Sequence, residues 1–195
     1  MGAVLTQNTS WANASRAVEA LRQRGLLVPK RLRALPESEL AAIIAPARFQ
    51  NVKARRLRHF LDWFQSAHRS SLRRMFATDL DALRADLLGV NGIGPETADS
   101  ILLYAGDKAT FVVDAYTRRV LCRHGLAPAD AGYDAIKAFF ERRLPADAAL
   151  YNEYHALIVA VGSRYCHPKQ RCDECPLRPL LASASRTSTA SRDSG

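Results

Sequence analysis

The stretch Leu-Leu-Gly-Val-Asn-Gly-Ile-Gly-Pro-Glu-Thr-Ala, residues 87–98, joins two apolar patterns of helical period through a short turn that contains glycine. Leucines with helical spacing precede the turn, and Ile101 and Leu102 continue this spacing after it. Pro95 suits the first position of the second helix, where its missing N–H group costs nothing. Residues 80–105 are therefore predicted to form a helix, a hairpin turn and a second helix.

The two glycines of this turn, Gly92 and Gly94, can adopt positive φ and leave the backbone uncovered by side chains. We expect N–H groups of the hairpin and of the helix start to face outward, beside the positive end of the helix dipole, where an anion such as a DNA phosphate binds favourably. An ordinary turn between two helices, with a glycine closing the first, accounts for the same residues without any ligand. The glycines alone leave both interpretations open.

The composition of the chain indicates a polyanionic partner. Its 195 residues include 28 lysines and arginines against 19 aspartates and glutamates, a formal net charge of +9, and such an excess favours nucleic acid. Apolar residues follow a helical period almost throughout, and residues 110–113 alone have an extended pattern, too short for a sheet. We therefore predict an all-α fold of many short helices. No apolar run approaches ~20 residues and no basic leader is present, so we expect a cytoplasmic protein without a membrane partner.

Three further segments accompany the hairpin. Residues 111–120, Phe-Val-Val-Asp-Ala-Tyr-Thr-Arg-Arg-Val, place an aspartate at the start of a helical pattern, residues 4–9 read Val-Leu-Thr-Gln-Asn-Thr, and residues 166–175 contain three of the four cysteines. Together with the hairpin, and in this order, they resemble the endonuclease III, or HhH-GPD, superfamily of helix-hairpin-helix DNA glycosylases. The resemblance extends over nearly the whole chain, and the hairpin is most similar to that of the monofunctional 3-methyladenine type.

The resemblance implies two all-α domains with duplex DNA in the cleft between them. We expect a six-helix barrel over residues 1–107, with the helix-hairpin-helix at about 80–105, and a C-terminal helical domain over residues 108–181. In the family a helix precedes the barrel, whereas this chain begins almost directly at the predicted first barrel helix. Residues 182–195 are mainly Ser, Ala, Thr and Arg without periodicity, and we predict a disordered tail there.

Two acidic residues form the predicted catalytic set. Asp114 matches the family's catalytic aspartate, whose carboxylate stabilises the positive charge that develops on the sugar, or activates water, after the base has been flipped out. Asp114 also suits the N-cap of the following helix, a role compatible with catalysis. Glu96 stands where strand-cutting members carry a nucleophilic lysine, and a glutamate cannot form a Schiff base. An acidic residue in a first helical turn is also favoured by the helix dipole alone.

Further residues are predicted to bind DNA. Gln7 matches the position that fills the gap left by the extruded base, and its alternative role is a capping or surface amide. Trp11, one turn further along the same predicted helix, either stacks on an electron-poor alkylated base or belongs to the core. Arg55 and Arg56 either grip phosphates or cover a solvated helix face. The hairpin residues predicted to contact DNA are Gly92, Ile93, Gly94 and Thr97.

The cysteine loop departs from the family pattern. The family's cluster loop reads Cys-x6-Cys-x2-Cys-x5-Cys, and this chain reads Cys166-x5-Cys172-x2-Cys175, with Leu181 at the fourth position. Three thiolates can hold a 4Fe-4S cluster with a ligand from elsewhere, or zinc with His167 as the fourth ligand. A degenerate loop without metal, held by the packing of its prolines and leucine, is the third alternative.

These matches predict a monofunctional glycosylase of base excision repair, a monomer whose partner is double-stranded DNA with a damaged base. Two alternatives remain open. One is a bifunctional glycosylase and abasic-site lyase that uses another amine, and the other is a non-catalytic helix-hairpin-helix DNA-binding protein.

Overall fold

The computed structural model describes residues 1–167 and 169–181, and the regular structure of these residues is helical. They contain eleven complete α-helices, two short 3-10 helices and further helical residues at 178–181, and no strand occurs among them. The predicted all-α fold class is confirmed. The predicted disordered tail, residues 182–195, lies outside the described residues. Within the described segments, no helix has both the length and the apolar character that crossing a bilayer requires.

The chain divides into two compact units, Met1–Leu102 and a second that begins at Leu103. The division lies inside the eighth helix, whereas the boundary predicted after residue 107 lies just beyond the end of that helix. The helices of the first unit are α1 (Gly2–Leu5), α2 (Trp11–Gln23), α3 (Pro29–Ala34), α4 (Glu37–Ile43), α5 (Gln50–His68), α6 (Leu72–Ala77), α7 (Leu80–Leu88) and the start of α8 (Pro95–Gly106), with a 3-10 turn at Ala45–Ala47.

The core of the first unit is built on α5, whose apolar side chains at helical spacing, Leu57, Leu61 and Phe64, are buried. Lys53 on the same helix is also buried. Its ammonium donates hydrogen bonds to the carbonyl of Leu5 at 2.8 Å and to that of Ala47 at 2.6 Å. Burial, together with the charge of the nearby Arg56, lowers the pKa of Lys53 to about 8. Lys53 therefore joins α1 and the 3-10 turn to α5.

The second unit contains the end of α8 and three complete α-helices. Its core centres on Phe111, whose ring stacks on that of Phe140 with centroids 3.9 Å apart. The helices are α9 (Ala115–Arg123), α10 (Tyr133–Glu141) and α11 (Ala148–Arg164), followed by a 3-10 turn at Cys172–Glu174. Helices α9 and α11 pack closely at Gly162, where an added Cβ would lie 2.7 Å from Cβ of Tyr116. This glycine therefore sets the distance between the two helices.

Candidate functional site

The hairpin between α7 and α8 has its apolar side chains turned inward. Val90 and Ile93 are buried in the core of the first unit. Of the two hairpin glycines, Gly92 has a φ of +90°, whereas the φ of Gly94 is not positive. The expectation of positive φ is therefore confirmed for Gly92 and wrong for Gly94. A Cβ added at Gly94 would meet no atom within 4 Å, so the backbone next to Pro95 borders open space, as a phosphate would require.

Gln7 and Arg56 hold this turn from one side. The Gln7 amide nitrogen donates hydrogen bonds to the carbonyl of Gly92 at 3.0 Å and to the hydroxyl of Thr97 at 2.8 Å. Its amide oxygen accepts from the guanidinium of Arg56, whose side chain lies so close to Gly92 that an added Cβ would come within 2.9 Å of its Cδ. The Gln7 amide therefore holds the hairpin through hydrogen bonds and is not a free surface amide.

The other residues predicted to contact DNA have different surroundings in the structure. The side chains of Ile93 and Thr97 are buried, so they support the hairpin from inside. Gln7 and Trp11 do not share a helix, because α1 ends at Leu5 and Trp11 is the first residue of α2. Trp11 is 64% exposed, which excludes its assignment to the core. Arg55 is exposed, with its Nε 3.7 Å from the Glu37 carboxylate.

A buried ion pair joins the two helices of the motif. Asp99 on α8 has an exposed fraction of 0%, and its two carboxylate oxygens accept hydrogen bonds from Nε and Nη2 of Arg84 on α7 at 2.8 Å and 3.1 Å. Two-pronged pairing of this kind fixes the relative orientation of the two groups. Glu96 is exposed in the first turn of α8, where the helix dipole favours a negative charge.

Asp114 caps the N-terminus of α9 in the second unit. Its backbone is extended, and one carboxylate oxygen, Oδ1, accepts a hydrogen bond from the Thr117 N–H at 2.7 Å. The predicted N-cap role is confirmed. The other oxygen, Oδ2, lies 3.8 Å from Nε2 of His155 on α11, and the Asp114 side chain keeps 15% exposure. The carboxylate is thus held at one oxygen, and the side chain as a whole remains partly exposed.

Tyr104 and His155 complete this cluster, and the sequence did not indicate that they meet. The Tyr104 hydroxyl lies 2.5 Å from Nδ1 of His155, although 51 residues separate them. Burial lowers the pKa of His155, and the negative charge of Asp114 only partly offsets this effect. Burial and the same charge raise the pKa of Tyr104 to about 12. The only sequence signal was a histidine in the helix before the cysteines, which is more often structural.

The cysteine loop does not assemble a complete metal site. Cys166, Cys172 and Cys175 line one cavity together with Leu181. The Arg123 guanidinium donates to the Cys166 sulfur at 3.2 Å and to the carbonyl of His167. Among residues 1–167 and 169–181, no three His, Cys, Asp or Glu side chains come together as a metal-binding group. These residues therefore do not fit a four-cysteine cluster, because the leucine at the fourth position provides no ligand.

Comparison with known proteins identifies the family. Residues 1–146 match the model of the HhH-GPD superfamily base excision DNA repair proteins. A "putative DNA repair glycosylase" of Methanocaldococcus jannaschii is 45% identical over 185 residues, which cover 94% of this chain and 84% of that protein. The chain therefore belongs to the HhH-GPD superfamily of base excision repair DNA glycosylases, and the resemblance seen in the sequence is confirmed.

Solved structures agree with this assignment. The 3-methyladenine DNA glycosylase MagIII of H. pylori, bound to 1,N6-ethenoadenine, is 29% identical with a TM-score of 0.73, covering 84% of this chain and 82% of that chain. An endonuclease III in a non-covalent DNA complex has a TM-score of 0.79 at 20% identity, covering 96% of this chain and 83% of that chain. At that identity the second similarity concerns the fold alone.

Proposed function

We propose that this protein is a monofunctional DNA glycosylase that flips a damaged base out of duplex DNA and hydrolyses its N-glycosidic bond with the help of Asp114. The main observation behind the proposal is how the Asp114 carboxylate is held in the structure. Oδ1 is fixed by the Thr117 N–H, and Oδ2 belongs to a side chain that is still partly exposed. A carboxylate held in this way can act on a substrate without first breaking its own support.

The chemistry follows from the position of Asp114 at a helix start. The Thr117 N–H in the first turn of α9 holds the Asp114 carboxylate in place. As the bond to the base breaks, the sugar acquires oxocarbenium character, and a fixed negative charge stabilises it. The same carboxylate can accept a proton from the attacking water. Base loss followed by water addition leaves an abasic site in an unbroken strand.

The monofunctional assignment depends on whether the chain offers an amine that can attack the sugar. A Schiff base requires a lysine that reaches the sugar, and Glu96 occupies the position of that lysine in strand-cutting relatives. Lys53 has a lowered pKa, but its ammonium is buried and bonded to two carbonyls, so it is unsuited to attack a substrate. The alternative is a bifunctional enzyme that uses another amine, and an experiment with lesion-containing duplexes distinguishes the two.

Duplex binding is proposed to use the hairpin. The open space at Gly94 and the positive start of α8 suit a backbone phosphate, and the net charge of +9 favours a polyanion. Such contacts orient a duplex without reading its sequence. A non-catalytic binding protein would use the same hairpin, but it would not need a partly exposed carboxylate held as Asp114 is. We further propose that the protein acts as a cytoplasmic monomer, which in a prokaryote would be associated with the nucleoid.

The proposed substrates are alkylated purines. MagIII, a 3-methyladenine DNA glycosylase, is 29% identical to this chain and was solved with 1,N6-ethenoadenine. Trp11 exposes most of its indole, and an aromatic face is attracted to an electron-poor alkylated base. No step of the proposed reaction uses an iron–sulfur cluster.

A panel of lesion-containing duplexes tests the proposal. Duplexes treated with dimethyl sulfate, or containing 1,N6-ethenoadenine or thymine glycol, are incubated with excess protein, with and without later alkali. We expect alkali-dependent cleavage of the alkylated duplexes and no strand cleavage before alkali. Cleavage before alkali, with a borohydride-trapped protein–DNA adduct, would support the bifunctional alternative. Tight binding without loss of any base would support the DNA-binding protein.

A further inference from the structure

We propose that His155 is a positioning residue for Asp114, and that Tyr104 fixes the imidazole in the form that serves this role. The inference rests on the proposed function, because it assigns a task only if Asp114 acts on the substrate. The three residues come from three helices of the second unit: Tyr104 from α8, Asp114 from the cap of α9, and His155 from α11.

The hydrogen bond between Tyr104 and His155 is linked to the tautomer of the imidazole. The pKa of Tyr104 is raised to about 12, so the phenol is protonated, and we assign its hydroxyl as the donor to Nδ1, 2.5 Å away. The lowered pKa of His155 favours a neutral ring. A neutral imidazole that accepts at Nδ1 must carry its hydrogen at Nε2. This N–H is the group on the ring that faces Oδ2 of Asp114.

The Nε2–H group is a buried donor with no hydrogen-bond partner in the described part of the chain. An unsatisfied buried donor costs about 1–3 kcal/mol, and such groups are uncommon unless they have a use. Its nearest acceptor is the Asp114 carboxylate, 3.8 Å away, whose other oxygen is already fixed by Thr117. Catalytic hydrogen bonds are often long in the free enzyme and shorten in the substrate complex.

The surroundings of His155 leave Asp114 as its main charged neighbour. The titratable groups that face the ring are Asp114 at the start of α9 and Tyr104 on α8, and the Phe111 ring packs edge-on against it. Glu141 on α10 accepts from the Phe111 N–H and pairs with Lys137. His155 thus presents one N–H to one carboxylate, in a largely buried setting where such a contact is strong.

The role follows from this geometry. As positive charge develops on the sugar, the Nε2–H holds Oδ2 in one direction. His155 itself does not contact the substrate in this account and transfers no proton. Removal of the N–H should therefore slow base removal while duplex binding stays unchanged.

The imidazole ¹⁵N spectrum tests the geometry without any DNA. We expect His155 to be neutral with its hydrogen on Nε2 in the wild type, and Tyr104→Phe to lose this single tautomer. A wild-type ring with its hydrogen on Nδ1, or no change in Tyr104→Phe, would overturn the inference.

Single-turnover base removal from a dimethyl sulfate-treated duplex tests the role. We expect His155→Leu to be about tenfold slower or more, by comparison with other positioned acid–base groups. His155→Gln, which can still donate to Asp114, should recover most of that loss. His124→Leu is the matched control, because His124 is a buried histidine of the same unit whose pKa is also lowered by burial.

Two failures can be told apart in this experiment. If Asp114→Asn removes the base as fast as the wild type, the proposed function fails. If Asp114→Asn is slow while His155→Leu matches His124→Leu in rate, the proposed function stands and the role of His155 is overturned.

Discussion

The side-chain amide of Gln7 donates a hydrogen bond to the carbonyl oxygen of Gly92 at 3.0 Å. A residue near the N-terminus thereby fixes the turn that the sequence associates with DNA. Because Gln7 also bonds Thr97 and Arg56, its predicted movement into a DNA gap would require these bonds to break. We therefore expect Gln7 to release the hairpin when it moves into the gap left by the extruded base.

The coupling between Gln7 and Arg56 is measurable by a double-mutant cycle. We expect Gln7→Ala to lower the free energy of unfolding by about 1–2 kcal/mol, since it leaves the Gly92 carbonyl and the Arg56 guanidinium without this partner. The double variant with Arg56→Ala should lose less than the sum of the two single losses, because both variants break the same bond. Chemical denaturation gives these values, and strict additivity would show that the two side chains do not interact.

The conformation of Gly92 predicts a selective effect on duplex binding. Gly92→Ala introduces a side chain at φ +90°, where it would also overlap the side chain of Arg56. We expect a folded protein whose affinity for any duplex is about tenfold lower, with a smaller dependence on salt. Gly132→Ala is the control, because Gly132 lies outside the hairpin, its φ is −66° and its Cβ would meet no atom within 4 Å. Unchanged binding by folded Gly92→Ala would remove the hairpin from the DNA-binding surface.

The buried ion pair of the motif predicts a large loss of stability. Arg84→Met removes both guanidinium hydrogen bonds from the fully buried Asp99, and loss of one partner of a buried pair typically costs about 3–5 kcal/mol. Arg33→Met is the control, because it breaks an exposed pair with Asp62 that should be worth less than about 1 kcal/mol. Equal shifts of the two denaturation midpoints would contradict this assignment.

Burial of His155 predicts a loss of stability in acid. Its pKa in the folded protein lies below the ordinary value of 6.5, so the unfolded chain binds a proton at a higher pH than the folded protein does. The stability present above about pH 6.5 is therefore lost as the pH falls toward the folded-state pKa. His155→Gln should lose less over this window when the free energy of unfolding is measured at several pH values. Parallel curves for the two proteins would show that the His155 ring titrates normally.

The features predicted best from the sequence are those set by neighbouring residues, such as helix starts and N-caps. Pro95 begins α8 as expected for a proline at a helix start, and Asp114 caps α9 as its neighbours indicated. The break between Gln7 and Trp11 was missed although a local signal existed. Ser10 is an N-cap that accepts from the Asn13 N–H, and it starts a new helix where the four-residue spacing of Gln7 and Trp11 was interpreted as one helix.

Contacts between distant residues were beyond prediction. The packing of Arg56 against Gly92 and the meeting of Tyr104 with His155 depend on how helices pack, and no spacing along the chain encodes them. The burial of Thr97 is of the same kind, because it depends on the packing of α8 against other helices. Motif residues are therefore identified by type and order, whereas their partners become apparent only in three dimensions.

The central claim, that the Asp114 carboxylate assists base removal, is tested most directly by Asp114→Asn. Asparagine keeps the shape and remains a good N-cap, so the fold should be retained while the negative charge is lost. Asp147→Asn is the matched control, because Asp147 caps α11 in the same unit through the Leu150 N–H.

The measurement is the single-turnover rate of base removal from a dimethyl sulfate-treated duplex, with duplex affinity determined in parallel. The account predicts that Asp114→Asn binds the duplex as the wild type does and removes bases about 10²-fold more slowly or worse, while Asp147→Asn keeps the wild-type rate. Equal rates for Asp114→Asn and Asp147→Asn, in folded proteins, would contradict it.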